Sequence, residues 1–93
     1  MEKRSKTGVL ERDVEGHFRR IVKEAGGEFL KFVSPGHNGV PDRIVLMPGG
    51  RIIFVEFKRP GEKPRLLQQK WGEKLLRMGF EWKVIDRENT KLL

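Results

Sequence analysis

The sequence predicts a single α/β domain, and three observations predict it. An apolar stripe at helical spacing comes first, short apolar runs bounded by turn residues follow, and a second amphipathic segment separates the last two runs. Read in order, the elements are α-β-β-β-α-β, which implies a mixed central sheet flanked by helices. Ninety-three residues suit one such domain with a modest core, and no internal repeat is visible.

Residues 1–8 are polar and basic and are expected to form a flexible arm, with the domain proper over 9–93. The first helix is expected from Val9 to Ala25. Val14, Phe18, Ile21, Val22 and Ala25 share one face at 3.6-residue spacing, and Gly26-Gly27 supplies the stop. Glu28 to Val33 is short and aromatic, as a strand is, and Ser34 to Gly39 is a run of turn formers. Asp42–Met47 and Arg51–Lys58 are the next two strands. The second of these is apolar on both faces (Ile52 and Phe54, Ile53 and Val55), the pattern of a covered central strand.

A basic loop bounded by Pro60 and Pro64 leads to a second helix from Leu66 to Met78, whose stripe is Leu67, Trp71, Leu75 and Met78. Gly79 ends it, and Phe80–Ile85 is the last strand. A helix between two strands is the usual crossover of a parallel pair, so strands three and four should be parallel neighbours.

Composition narrows the function classes. Cysteine is absent, which excludes disulfides and thiolate metal sites. No apolar run approaches membrane-spanning length and the first residues lack a signal-peptide pattern, so a cytoplasmic protein with no membrane partner is expected. The 20 Lys and Arg against 13 Asp and Glu leave a net charge of +7, which points to a polyanionic partner, most simply nucleic acid.

The informative motif is Gly39-Val40-Pro41-Asp42 followed, after Pro48-Gly49-Gly50, by Val55-Glu56-Phe57-Lys58. A three-residue hairpin loop pairs Met47 with Arg51, and counting outward sets Asp42 opposite Glu56. Lys58 shares their sheet face, two residues beyond Glu56. Opposed like charges destabilise a sheet, and a divalent cation would resolve the conflict. Two carboxylates with the Phe57 carbonyl make the oxygen donor set that Mg²⁺ favours, and Lys58 could orient water or stabilise negative charge. A structural ion pair between Lys58 and either acid is the competing reading. Glu11 and Glu15 both fall at the edge of the first helix's stripe, where an acid could reach over the sheet.

Around these acids stand Arg43, Arg59, Lys63 and Arg65, with His37 in the glycine-rich loop. Such residues suit phosphate contacts that position a nucleic acid without reading its sequence. His17 is expected at the surface, Trp71 in the core, and Trp82 is open between core and base stacking.

Glu15, Gly39-Val40-Pro41-Asp42-Arg43, Glu56-Phe57-Lys58 and Gln68 together resemble the virus-type replication-repair nuclease (VRR-NUC) domain of the PD-(D/E)XK nuclease superfamily, in its stand-alone form. The resemblance spans about Glu11 to Ile85. It implies a restriction-endonuclease-like fold and Mg²⁺- or Mn²⁺-dependent hydrolysis of DNA phosphodiesters. Asp42, Glu56 and the Phe57 carbonyl would hold the metal with Glu15 (Glu11 being its rival), Lys58 would be the catalytic lysine, and Gln68 would orient the site. Stand-alone members are similar to Holliday-junction resolvases, so branched DNA, a four-way junction above all, and a homodimer are expected. Flap, nicked or duplex DNA is the alternative substrate, and a non-catalytic nucleic-acid-binding module the alternative class.

Overall fold

A computed structural model describes residues 11–93 of the chain. The expected arm over residues 1–8 and the expected helix start at Val9 lie outside the described residues. The elements are α1 (Glu11–Glu24), β1 (Glu28–Lys31), β2 (Arg43–Met47), β3 (Arg51–Phe57), α2 (Leu66–Arg77) and β4 (Glu81–Ile85). All six sequence-derived elements are present in the expected order.

One four-stranded sheet runs β1-β2-β3-β4. β1 and β3 flank β2 antiparallel, while β4 pairs with β3 in parallel, as the intervening helix requires. The hairpin register is the one counted from its loop, with Met47 opposite Arg51 and Arg43 opposite Val55. The paired register ends there, and just beyond it the Phe57 N–H donates to Asp42 Oδ2, which sets Asp42 beside the Glu56–Phe57 segment.

Strand alternation divides β3 between two faces. Ile53, Val55 and Phe57 point to α1 and join Val14, Phe18 and Val22 in the core, together with Phe29, Val45, Ile85 and Leu92. These residues are all apolar, which is why α1 stays on this face. Ile52, Phe54 and Glu56 point to the other face, which α2 partly covers.

The second helix packs differently from the stripe read in the sequence. Leu75 and Gly72 are buried and Trp71 is half-buried, but Leu67 and Met78 stand exposed. The reason is Gly72, whose missing side chain lets Trp82 of β4 press against the helix backbone. A Cβ at Gly72 would lie 2.2 Å from the indole ring. This close approach turns the 68–72–75 line toward the sheet and rotates Leu67 and Met78 away. Trp82 is therefore a packing residue. Its ring lies against the helix and its indole Nε1 is buried without a hydrogen-bond partner among the described residues, so it is not placed for base stacking.

Candidate active site

Asp42, Glu56, Lys58 and Gln68 line one polar cavity of about 350 Å³, together with Phe57, Arg59, Glu62 and Arg65. Each comes from a different piece of local structure. Asp42 sits at the entry to β2, after Pro41, and its side chain is fixed by the sheet itself: the Phe57 main-chain N–H donates to Asp42 Oδ2 at 3.0 Å. Its main-chain carbonyl accepts from the Phe32 N–H at 3.0 Å. Asp42 is thus tied to both flanking chains.

Glu56 and Lys58 are the buried charged residues among those described, at 1% and 8% exposure. Lys58 Nζ lies 3.8 Å from Glu56 Oε2, and the Lys58 main-chain N–H donates to the Ile85 carbonyl at 2.9 Å. Removing two ions from water costs several kcal/mol each. Apolar residues of similar volume are often neutral or stabilising in such a place, so a buried pair of this kind is weak evidence of a stabilising role.

Gln68 reaches Glu56 from the start of α2, its Nε2 donating to Glu56 Oε2 at 2.6 Å. Its own Oε1 accepts the Arg65 main-chain N–H at 2.8 Å, which closes one of the unsatisfied donors at the helix start. The amide group is therefore held from both sides. Phe57 buries its ring among the core residues on the α1 face, so it borders the cavity through its main chain.

The loop between β3 and α2 closes the cavity's rim. Glu62 accepts the Arg59 main-chain N–H at 3.2 Å, and Asp86, just past β4, accepts the Gly61 N–H at 3.2 Å. Glu62 borders the cavity although the sequence motifs do not include it. Its sequence signal is the three-residue return from Arg59 across Pro60-Gly61, a turn an acid can close. Arg59 and Arg65 border the same cavity, and Lys63 is exposed on the loop between them.

Glu15, expected to join the metal-holding acids, and Arg43, expected to contact phosphate, pair with each other and do not border this cavity. Glu15 Oε2 accepts from Arg43 Nε at 3.1 Å and also from Arg43 Nη2, and Arg19 adds a longer contact at 3.4 Å. The physical reason is alternation: Arg43 lies on the α1 face beside Val45, one residue out of phase with Asp42. A helix acid on that face meets Arg43 before it can meet Asp42 and Glu56. Arg43 Nη1 in turn donates to the Asp42 main-chain carbonyl at 3.0 Å. Among the described residues no group of three or more His, Asp or Glu side chains is placed to hold one metal ion. The side chain of Glu11, the rival helix acid, lies outside those described.

His37 does not reach the acids. It takes a hydrogen bond with Ser34 Oγ at 3.1 Å through Nδ1 and sets its ring edge-on to Trp71, with centroids 5.8 Å apart. His17 is on the α1 surface, 3.5 Å from Glu88.

The donor set suits a hard cation. Two carboxylates and a main-chain segment, all oxygen donors without sulfur or imidazole, border this polar space, and Mg²⁺ commonly takes one or two carboxylates while keeping its waters. A phosphate would find Lys58, Arg59 and Arg65 on the same rim.

The sheet order and the Asp42, Glu56 and Lys58 side chains at its end make a small α/β domain with one candidate active site. No family model matches the chain. It is 44% identical over 81 residues to "Putative nuclease p44" of Acyrthosiphon pisum secondary endosymbiont phage 1, covering 87% of this chain and 87% of that protein. A solved structure described as "VRR_NUC domain" superposes with a TM-score of 0.80 at 29% identity, over 84% of this chain and 85% of the other. The chain belongs to the VRR-NUC family of nucleases. No helix among the described residues is long and apolar enough to cross a membrane.

Proposed function

We propose that the chain is a Mg²⁺-dependent (or Mn²⁺-dependent) endonuclease that hydrolyses phosphodiester bonds of branched DNA, a four-way junction above all, and that it works as a homodimer. The observation that carries the catalytic part is the convergence of Asp42, Glu56, Lys58 and Gln68 on one polar cavity with Arg59 and Arg65 at its edge.

Asp42 and Glu56 would hold the cation, with the Phe57 main chain beside them. When bound, the cation offsets charge on the phosphate and makes a coordinated water more acidic. The remaining work falls to the protein. The Phe57 N–H and the Gln68 amide keep the two carboxylates aimed into the cavity, so little reorganisation is needed at reaction. Lys58, fixed beside Glu56, orients the attacking water or stabilises negative charge developing on the phosphate oxygens. As water's oxygen bonds to phosphorus and gives up a proton to solvent, the bond to the leaving sugar oxygen breaks and that oxygen takes up a proton from solvent. Arg59, Lys63 and Arg65 hold flanking phosphates.

Glu15 acts here through Arg43, as a positioning residue. It fixes the guanidinium that supports the Asp42 carbonyl. The dimer is supported by two arguments. Symmetric cuts across a junction need two active sites, which a two-fold axis provides. The exposed apolar residues Leu30 and Leu46 also lie on the sheet face that α2 leaves open, where a second copy could cover them.

The test is a panel of junction, flap, nicked and plain duplex DNA incubated with Mg²⁺ or EDTA, run beside a molar-mass measurement. Paired nicks across the junction with Mg²⁺ only, and a dimer mass, are expected. Preferred cutting of a flap, or a monomer that cuts junctions symmetrically, would overturn the junction and dimer parts respectively.

A further inference from the structure

We propose that the flank of α2 beside the acidic cavity binds an unpaired strand of the substrate, seating one base against Leu66 and Asn38 with the Gly39–Leu67 contact as the pocket floor. The inference rests on the nuclease reading and adds a feature of its branched substrate: nucleotides unpaired at the branch point, next to the scissile bond.

A cavity of about 390 Å³ is lined by Asn38, Gly39, Leu66 and Leu67 and shares Arg65 and Gln68 with the acidic cavity. The two spaces are thus neighbours across the Arg65 and Gln68 side chains. Beyond Leu67 a shallower space of about 190 Å³ continues past Lys70, Trp71 and Lys74. The three spaces form one track that begins at the acids.

The chemistry along this track alternates in the way a single strand does. Arg65, Lys70 and Lys74 offer cations to phosphates, while Leu66 and Leu67, 70% and 53% exposed, offer apolar surface to a base face. Lys74 Nζ lies 4.7 Å above the Trp71 ring, so a cation and an aromatic surface are presented together. Single-strand grooves combine these two elements, because an unstacked base has a free face and a paired one does not. Asn38 adds an amide able to meet a base edge.

The wall of the base pocket is fixed. Gly39 has φ of 87°, in the left-handed region, and a Cβ there would lie 2.8 Å from Leu67 Cβ. Backbone and leucine therefore meet directly, and the pocket is already formed rather than closed by a side chain that must move. A protein partner fits less well, since the apolar strip is narrow, bordered by cations, and continuous with a site that needs phosphates.

The test is equilibrium binding in EDTA, by fluorescence anisotropy, to two DNAs of equal length, one a blunt duplex and one ending in splayed unpaired arms. A 2-aminopurine in the arm reports the environment of that base. The armed DNA should bind about tenfold tighter at equal salt, the scale of one stacked base, with a change in 2-aminopurine emission. Leu66→Ala, at an exposed position, should remove most of both effects, and Lys70→Ala should weaken arm binding while leaving the emission change. Equal affinity for the two DNAs, or a Leu66→Ala protein that binds arms and alters emission like wild type, overturns the proposal. If the protein cuts no DNA with Mg²⁺, the nuclease reading falls while the binding data still decide this one.

Discussion

The Gln68 side chain spans from the Arg65 main-chain N–H, 2.8 Å from its Oε1, to Glu56 Oε2, 2.6 Å from its Nε2. The first turn of α2 and the buried acid of β3 are thus oriented by one amide. A residue whose two ends are both committed cannot rotate without losing a bond at each, so the helix start and the acid move as a unit.

Gln68→Ala is expected to lower cleavage about 10–100-fold, the usual effect of removing the group that orients a metal-binding carboxylate. The cost should appear as a higher Mg²⁺ concentration for half-maximal rate. Gln68→Glu would place a carboxylate against Glu56 and should be worse than alanine in the same titration. Equal Mg²⁺ dependence in wild type and Gln68→Ala would remove Gln68 from the site.

Asp42→Asn keeps an acceptor for the Phe57 N–H, whereas Asp42→Ala leaves that donor without it. Both should abolish cleavage, but only the alanine variant should also lose stability, by about 1 kcal/mol. Thermal unfolding beside the nicking assay separates the two effects. A fully active Asp42→Asn would exclude Asp42 as a cation ligand.

The Trp82 ring leaves no room at Gly72. Gly72→Ala should cost about 3 kcal/mol, at the upper end of core overpacking, despite alanine's better helix propensity. For a domain of this size that is a fall in Tm of roughly 12 °C or more. A variant as stable as wild type would mean that α2 and β4 are not packed as described.

Much of the fold is legible in the sequence because its signals are local. The stripe Val14-Phe18-Val22 and the alternation of β3 are periodicities, and the Pro48-Gly49-Gly50 loop sets the hairpin register by counting. The count also brings Asp42 to the Glu56–Phe57 end of β3, where the Phe57 N–H meets its carboxylate. What the sequence hides depends on how the elements pack. Helical spacing puts Glu15 at the stripe edge, and it is indeed half-buried, but only the sheet decides that Arg43 rather than Asp42 faces it. Leu67 and Met78 share the apolar stripe of α2, yet Gly72, a residue with no apolar signal of its own, sets the helix's rotation and leaves both exposed. The place of Glu62 depends on a loop path that proline and glycine permit but do not dictate.

Arg51 makes a double hydrogen bond to Glu81, at 2.6 and 2.8 Å, and also donates to the Leu93 carbonyl at 3.2 Å. The bond from Arg51 holds the Glu81 carboxyl below its usual range, and the bond to Glu81 raises Arg51 above its own. For a lowered carboxylate, the stabilisation is present above the ordinary carboxylate range and is lost as pH falls through the depressed value. The Arg51 contribution persists at every pH below the ordinary arginine range. Both side chains are partly exposed, so the effect is small and screened by salt. Glu81→Gln should melt slightly below wild type at neutral pH, with the gap closing in acid below about pH 4. A gap independent of pH would contradict this account.

Arg59→Ala and Arg65→Ala should each weaken DNA binding and reduce the slope of log K against log salt by about 1, as expected when one phosphate is no longer neutralised by the protein. Arg43→Ala should leave that slope unchanged, since its guanidinium is held by Glu15 on the other face of the sheet. Anisotropy titrations over a salt series measure both.

The most direct measurement is the nicking rate of wild type and Glu56→Gln on one four-way junction, with Mg²⁺ and with EDTA, after circular dichroism has established that both are folded. Cleavage by wild type with Mg²⁺ alone is expected, and none by Glu56→Gln although it still binds the junction. Cleavage by Glu56→Gln at the wild-type rate, or wild-type cleavage undiminished by EDTA, would contradict this expectation.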